Sequence, residues 1–191
     1  SGVGNYPTNL NIWYLYPYGN ALGRGEYLRP YRLASEWLNF WQFVTCFVSR
    51  NYHLTDTPKP LPLDESIDGA KFGSLPYRRY HENGIARFLD MIIICISMLN
   101  LTSNTPRPDV VTVSSPHPFT IFPGWWLARK NNAKLFFEAR DLWPLSILEL
   151  TLTPKWGLPT VLAWAAERIA NRQANLVASP LGNAEPYMKS R

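Results

Sequence analysis

A chain of 191 residues with 46% hydrophobic side chains can bury one well-formed core, and its 14% aromatic content excludes a disordered polymer. The net charge of +5 is modest and not gathered into any long Lys/Arg run. That argues against nucleic acid and leaves an anionic ligand, a membrane surface or a plain solvated basic face open.

In chain order, residues 1–9 carry no pattern and read as a tail, with no signal peptide. A start on Ser1 rather than Met is what a processed chain or a fragment would show. Asn11–Tyr16 (NIWYLY) is apolar and aromatic on both faces, as a central parallel strand should be. A glycine-bearing loop, Pro17–Gly25, leads to a helical segment reaching Trp41. Pro30 must lie in its first turn, because proline is tolerated there and not further in. Phe43–Ser49 (FVTCFVS) is the second strand. Arg50–Leu63, with Pro58, Pro60 and Pro62, reads as a surface loop. Ile67–Leu75 suggests one short strand turning near Asp68-Gly69, and Pro76–Arg79 continues as loop. Glu82–Asn100 has Ile85, Phe88, Leu89, Ile92, Ile93, Ile96 and Leu99 near one helical stripe. Its apolar run, Phe88–Leu99, is too short to cross a bilayer, which needs about 20 residues. Cys46 and Cys95 sit inside apolar runs, the usual setting of free buried thiols, so a reducing, cytoplasmic compartment is expected and a disulfide is not.

After a breaker segment, Thr102–Pro108, the stretch Asp109–Pro144 reads strand, loop, helix, strand, loop. Val110–Val113 is a β-branched strand expected to stop at Ser114-Ser115-Pro116. Thr120–Lys130 is a helix, and Lys134–Glu138 a further strand. Two strands joined through a helix make a right-handed parallel unit, and ligands collect beyond the carboxyl ends of such strands. Ser146–Leu152 is ambiguous, Pro159–Gln173 is a helix, Asn175–Ala178 is a last strand, and a final helix is drawn from Asn183 to the end. Alternating strands and helices predict one α/β domain over residues 1–191, a doubly wound, mainly parallel sheet with helices on both faces.

Three polar groups stand at the carboxyl ends of strands. Gly23, Arg24 and Gly25 follow the first strand, where glycines let backbone N–H groups approach an anion and a following helix adds its positive end. Their spacing is not the dinucleotide fingerprint, and a simple turn accounts for them equally well. Ser114, Ser115 and His117 follow the Val110 strand; a turn or cap is the plain alternative to ligand contact. Glu138, Arg140 and Asp141 follow the Lys134 strand. There Arg140 can grip a phosphate or sugar hydroxyl with two N–H groups, Glu138 or Asp141 can orient or deprotonate a hydroxyl, and Trp143 can stack on a sugar or equally belong to the core. An ion pair that merely holds the loop is the plain alternative. No D-x-D pair, H-E-x-x-H, phosphate-binding lysine loop or clustered Cys/His ligands occur, so no metal cofactor is expected.

The segment FEARDLWP, preceded by DVVTVSSP, resembles the amino-terminal domain of family-4 glycosyltransferases of the GT-B type, closest to bacterial enzymes that build surface polysaccharides. The resemblance implies a Rossmann-like acceptor-side domain of a retaining, metal-independent hexosyltransferase. The nucleotide-sugar donor would be held by a second domain, which carries an E-x7-E pair and is not in this chain. It implies a glycan acceptor, commonly lipid-linked. It also implies that Gly23, Arg24 and Gly25 face the cleft between the domains, and that this chain alone transfers sugar poorly. Some members carry a histidine where this chain has Ser114, so that histidine's role does not pass to His117. Basic and aromatic residues in Arg50–Pro62 and Leu75–Arg87, such as Lys59, Arg78, Arg79, Arg87, Tyr77 and Tyr80, make a peripheral membrane surface an expectation alongside a solvated one. Two other readings stay open. One is a non-catalytic subunit of a split transferase; the other is an unrelated nucleotide-binding domain.

Overall fold

The computed structural model describes residues 10–19, 28–40, 43–49, 64–75, 85–101, 106–115, 118–140 and 157–179. Their strands are β1 (Asn11–Leu15), β2 (Phe43–Ser49), β3 (Asp64–Ile67), β4 (Ala70–Leu75), β5 (Val110–Ser115), β6 (Lys134–Ala139) and β7 (Leu176–Ala178). The helices are α1 (Arg29–Leu38), α2 (Ile85–Leu99), α3 (Ile121–Asn131, after a 3₁₀ turn at Pro118–Thr120) and α4 (Leu158–Gln173). The strands form one sheet in the order β3-β4-β2-β1-β5-β6-β7. Every pairing is parallel except β3 with β4. This is the α/β, Rossmann-like, doubly wound sheet expected.

Strand alternation divides the core. Trp13, Leu15, Phe47, Val111, Val113, Leu135 and Phe137 point to one face, against Ile94 and Met98 of α2, Leu127 of α3 and Ala166 and Ala170 of α4. Tyr14, Tyr16, Val44, Cys46, Val48, Ala70 and Phe72 point to the other, beneath Ala34, Leu33 and Trp37 of α1. A strand buried on both sides must be apolar throughout, which is why β1 shows no alternation in its sequence.

Helix boundaries follow local chemistry. Pro30 occupies the first turn of α1. α3 ends at Asn132 in the left-handed region (φ 55°), with Arg129 and Lys130 in its last turn facing the negative end of the helix.

Three boundaries differ from the sequence reading by more than one residue. The first is the end of α1, which stops at Leu38, with Asn39 as its cap, short of Trp41. Residues 64–75 form a hairpin rather than one strand. Asp68 (φ 49°) and Gly69 (φ 86°) both take positive φ, as a two-residue turn between twisted antiparallel strands requires. The strand from Val110 does not stop before the serines: Ser114 pairs with Glu138 and Ser115 with Ala139, so both ladder positions are filled and β5 runs to Ser115. The loops read at Arg50–Leu63 and Pro76–Arg79, the segment Ser146–Leu152 and the helix from Asn183 lie outside the described residues.

Both cysteines are free. Cys46 is buried, and its thiol donates to the Pro30 carbonyl of α1 at 3.7 Å. Burial pushes both thiols up from 9.0, that of Cys95 to about 12. A folded chain that keeps protons its unfolded form gives up loses stability as pH rises through that interval. The unfolding midpoint in urea is therefore expected to hold to about pH 8.5 and then fall, at a slope of about 1.4 kcal/mol per pH unit for each thiol. A midpoint unchanged to pH 11 would contradict it.

Candidate functional site

The chain leaves β1 through α1 towards β2 on one side, and returns through α2 to β5 on the other. The carboxyl ends of β1 and β5 therefore flank the point where the winding reverses, where open α/β sheets leave a crevice. Register puts Leu15 beside Val113 and Ser114 beside Glu138, so the ends of β1, β5 and β6 lie level. Tyr14, Ser114 and Glu138 share the face that α1 covers, and α1 begins at this same end of the sheet.

Glu138 is buried at 7% exposure, which an isolated carboxylate would not tolerate. It is held from two sides: Arg29, the first residue of α1, forms an ion pair with Oε1, and the Tyr14 hydroxyl donates to Oε2 at 3.3 Å. Burial, and then the charge of Glu138, pushes the Tyr14 phenol well above its usual range, the nearby Ser114 hydroxyl opposing. The phenol thus stays a donor. The hydrogen bond that Arg29 donates to Glu138 pushes the Arg29 guanidinium up as well. Tyr14 is further fixed by edge-on contacts with Tyr16 (centroids 5.6 Å) and Trp37 (5.1 Å).

Arg140, the residue after β6, lies with its guanidinium carbon 5.3 Å from the Tyr16 ring centre and donates to the Tyr16 hydroxyl. Beside it opens a hollow of about 380 Å³ lined by Tyr16, Leu28, Arg29, Arg32, Leu33, Glu36 and Arg140. That volume suits a small polar ligand or one end of a larger one.

The sequence candidates are placed unevenly. Glu138 and Arg140 meet at this end of the sheet, but both oxygens of Glu138 are engaged by protein donors. Its geometry is that of an anchor for Arg29. Ser114 is wholly buried beside the Tyr14 hydroxyl and does not line the hollow. Ser115 is placed as the last residue of β5. Gly23, Arg24, Gly25, His117, Asp141 and Trp143 lie outside the described residues. Tyr14, Tyr16, Arg29 and Arg32 were missed by sequence reasoning. The tyrosines sit in a run read only as buried strand, and the available signal was their i, i+2 spacing, which sends both hydroxyls to one face.

Among the described residues no three His, Cys, Asp or Glu side chains gather where a metal ion could be held. No helix among them is long and apolar enough to cross a membrane. The basic and aromatic side chains expected at a membrane surface lie outside the described side chains.

No protein-family profile and no curated protein matches the sequence. Among solved structures, the chain is similar to sucrose-phosphate synthase from Thermosynechococcus elongatus, with a TM-score of 0.63 at 12% identity. The likeness covers 94% of this chain and 45% of that one, so the chain spans under half of that protein's length. At such identity the shared property is the fold.

Proposed function

We propose that this chain is the acceptor-side domain of a retaining, metal-independent glycosyltransferase of the GT-B type, working in bacterial surface-polysaccharide synthesis. The fold shared with part of a sucrose-phosphate synthase supports the transferase reading, and the FEARDLWP segment supports the family. The observation that carries it is the hollow at the winding reversal, where Arg140 is laid over Tyr16 and Arg29 is tied to Glu138. Buried polar groups converging on a crevice are what substrate orientation requires.

In this reading a second domain presents the nucleotide sugar, and this chain holds the glycan acceptor, lipid-linked and met at the inner membrane face. Arg140 binds and orients the acceptor, and Glu138 acts through Arg29 by fixing where that guanidinium stands. Gly23, Arg24 and Gly25 close over the donor phosphates, Ser115 and His117 contact substrate, and Asp141 receives the acceptor proton.

The test is transfer of labelled hexose from a panel of nucleotide sugars to a bacterial lipid extract. The longer protein is expected to turn over and this chain alone to be nearly inert. In the longer protein Arg140→Ala is expected to lower kcat/KM by about 100-fold, roughly 2.7 kcal/mol. Turnover by the isolated chain at the rate of the longer protein, or an Arg140→Ala variant within twofold of the parent, would refute the assignment.

A further inference from the structure

Three arginines and one glutamate line the hollow, yet their charges are not equivalent. Arg29 is neutralised by Glu138, which lies behind the wall. Arg32, one turn further along α1, is exposed and makes no ion pair among the described residues, although Glu36 follows it at the spacing where such pairs form. Arg140 has a neutral partner, the Tyr16 hydroxyl, which fixes one arm of the guanidinium without reducing its charge. The ring beneath it holds the plane. Two guanidinium groups, one on a helix and one at a strand end, thus face one cavity while the buried counter-charge is committed elsewhere. Glu36 is the one carboxylate among the lining residues, so three guanidinium groups are set against it and Glu138, and the surplus positive charge favours an added anion.

We infer that this hollow is a phosphoryl-binding pocket in which Arg32 and Arg140 are the ligand-contacting residues and Tyr16 is a positioning residue for Arg140. Resting on the transferase reading, the acceptor then carries a mono- or diphosphate. The fork of a guanidinium matches two oxygens of a phosphoryl group, and two forks on different elements can grip oxygens on different sides of a tetrahedral anion. A planar carboxylate has only one edge to offer.

The test is calorimetric titration of this chain with inorganic pyrophosphate, glucose 1-phosphate and glucose, and flotation with phosphatidylcholine vesicles with and without polyprenyl phosphate. Binding of both soluble phosphates but not glucose is expected, and flotation only with polyprenyl phosphate would assign the source to a lipid carrier. Arg32→Gln and Arg140→Gln should each weaken pyrophosphate binding about tenfold or more. Tyr16→Phe should weaken it about threefold, with an unchanged unfolding midpoint required to set aside a purely structural effect. Arg172→Gln, at the last turn of α4, removes the same charge elsewhere and should change nothing. Absence of binding to all three phosphates, or an equal loss in Arg172→Gln and Arg140→Gln, overturns the pocket. Transfer by the longer protein that survives Arg32→Gln overturns the phosphorylated acceptor and leaves the transferase reading standing. Phosphate binding without any transfer does the reverse.

Discussion

Replacing Arg29 with methionine is expected to cost about 2–3 kcal/mol of folding stability, and replacing Glu138 with glutamine only about 1 kcal/mol. The asymmetry follows from exposure: the Arg29 side chain is 43% exposed and that of Glu138 10%. A released guanidinium can turn into water, whereas a carboxylate left under α1 keeps, among the described residues, only the Tyr14 hydroxyl. Glutamine at 138 still offers Tyr14 an acceptor. The double variant should cost less than the sum of the singles, because it leaves no buried charge unmatched. Urea unfolding of the four chains measures all of this. A Glu138→Gln cost equal to or above that of Arg29→Met would show that the pair is not organised by burial.

The second large effect is expected at Gly124, within α3. Alanine in place of a helical glycine ordinarily stabilises by about 1 kcal/mol. Here a Cβ would stand 2.2 Å from Cγ2 of Val113 and 3.7 Å from Cδ1 of Leu15. Val113 is wholly buried and β-branched, so its methyl groups have little freedom to turn aside. Gly124→Ala is therefore expected to destabilise by about 2 kcal/mol net, through overpacking of α3 on β5. Adding Val113→Ala removes the clashing methyl, so the double variant should be about as stable as Val113→Ala alone. Thermal unfolding decides it; a raised midpoint in Gly124→Ala would mean that α3 can lift from the sheet at no cost.

Much of the fold was legible because its signals are local. A run apolar on both faces, a proline that must open a helix and β-branched residues before a polar rim each report on their own neighbourhood. The hairpin at Asp68-Gly69 carried a local signal too, but its first strand, Asp64–Ile67 (DESI), has almost no apolar content. It joins the sheet by pairing with β4, with Ile67 packed against the core, and pairing leaves little trace in a sequence. The site was legible only in part for a related reason. Glu138 and Arg140 attract notice as charges after a strand, yet what fixes Glu138 is Arg29, 109 positions away, and Tyr14, 124 positions away. Neither bears a local mark of that partnership. Contiguity also offered Arg140 a carboxylate on either side; Glu138 is instead tied to Tyr14 and Arg29, Arg140 meets Tyr16, and Asp141 lies outside the described residues.

The bond from Cys46 to the Pro30 carbonyl places a sulfur directly under the helix that carries Arg29 and Arg32. Among the described residues α1 is the cover over that side of the sheet, so reagent can reach this sulfur only when the helix swings away. Anything bridging Arg32 to Arg140 would tether the cover to the strand ends and slow such excursions. The cysteine is in effect a built-in occupancy gauge, its alkylation rate dropping as the hollow fills, with no label added to the protein.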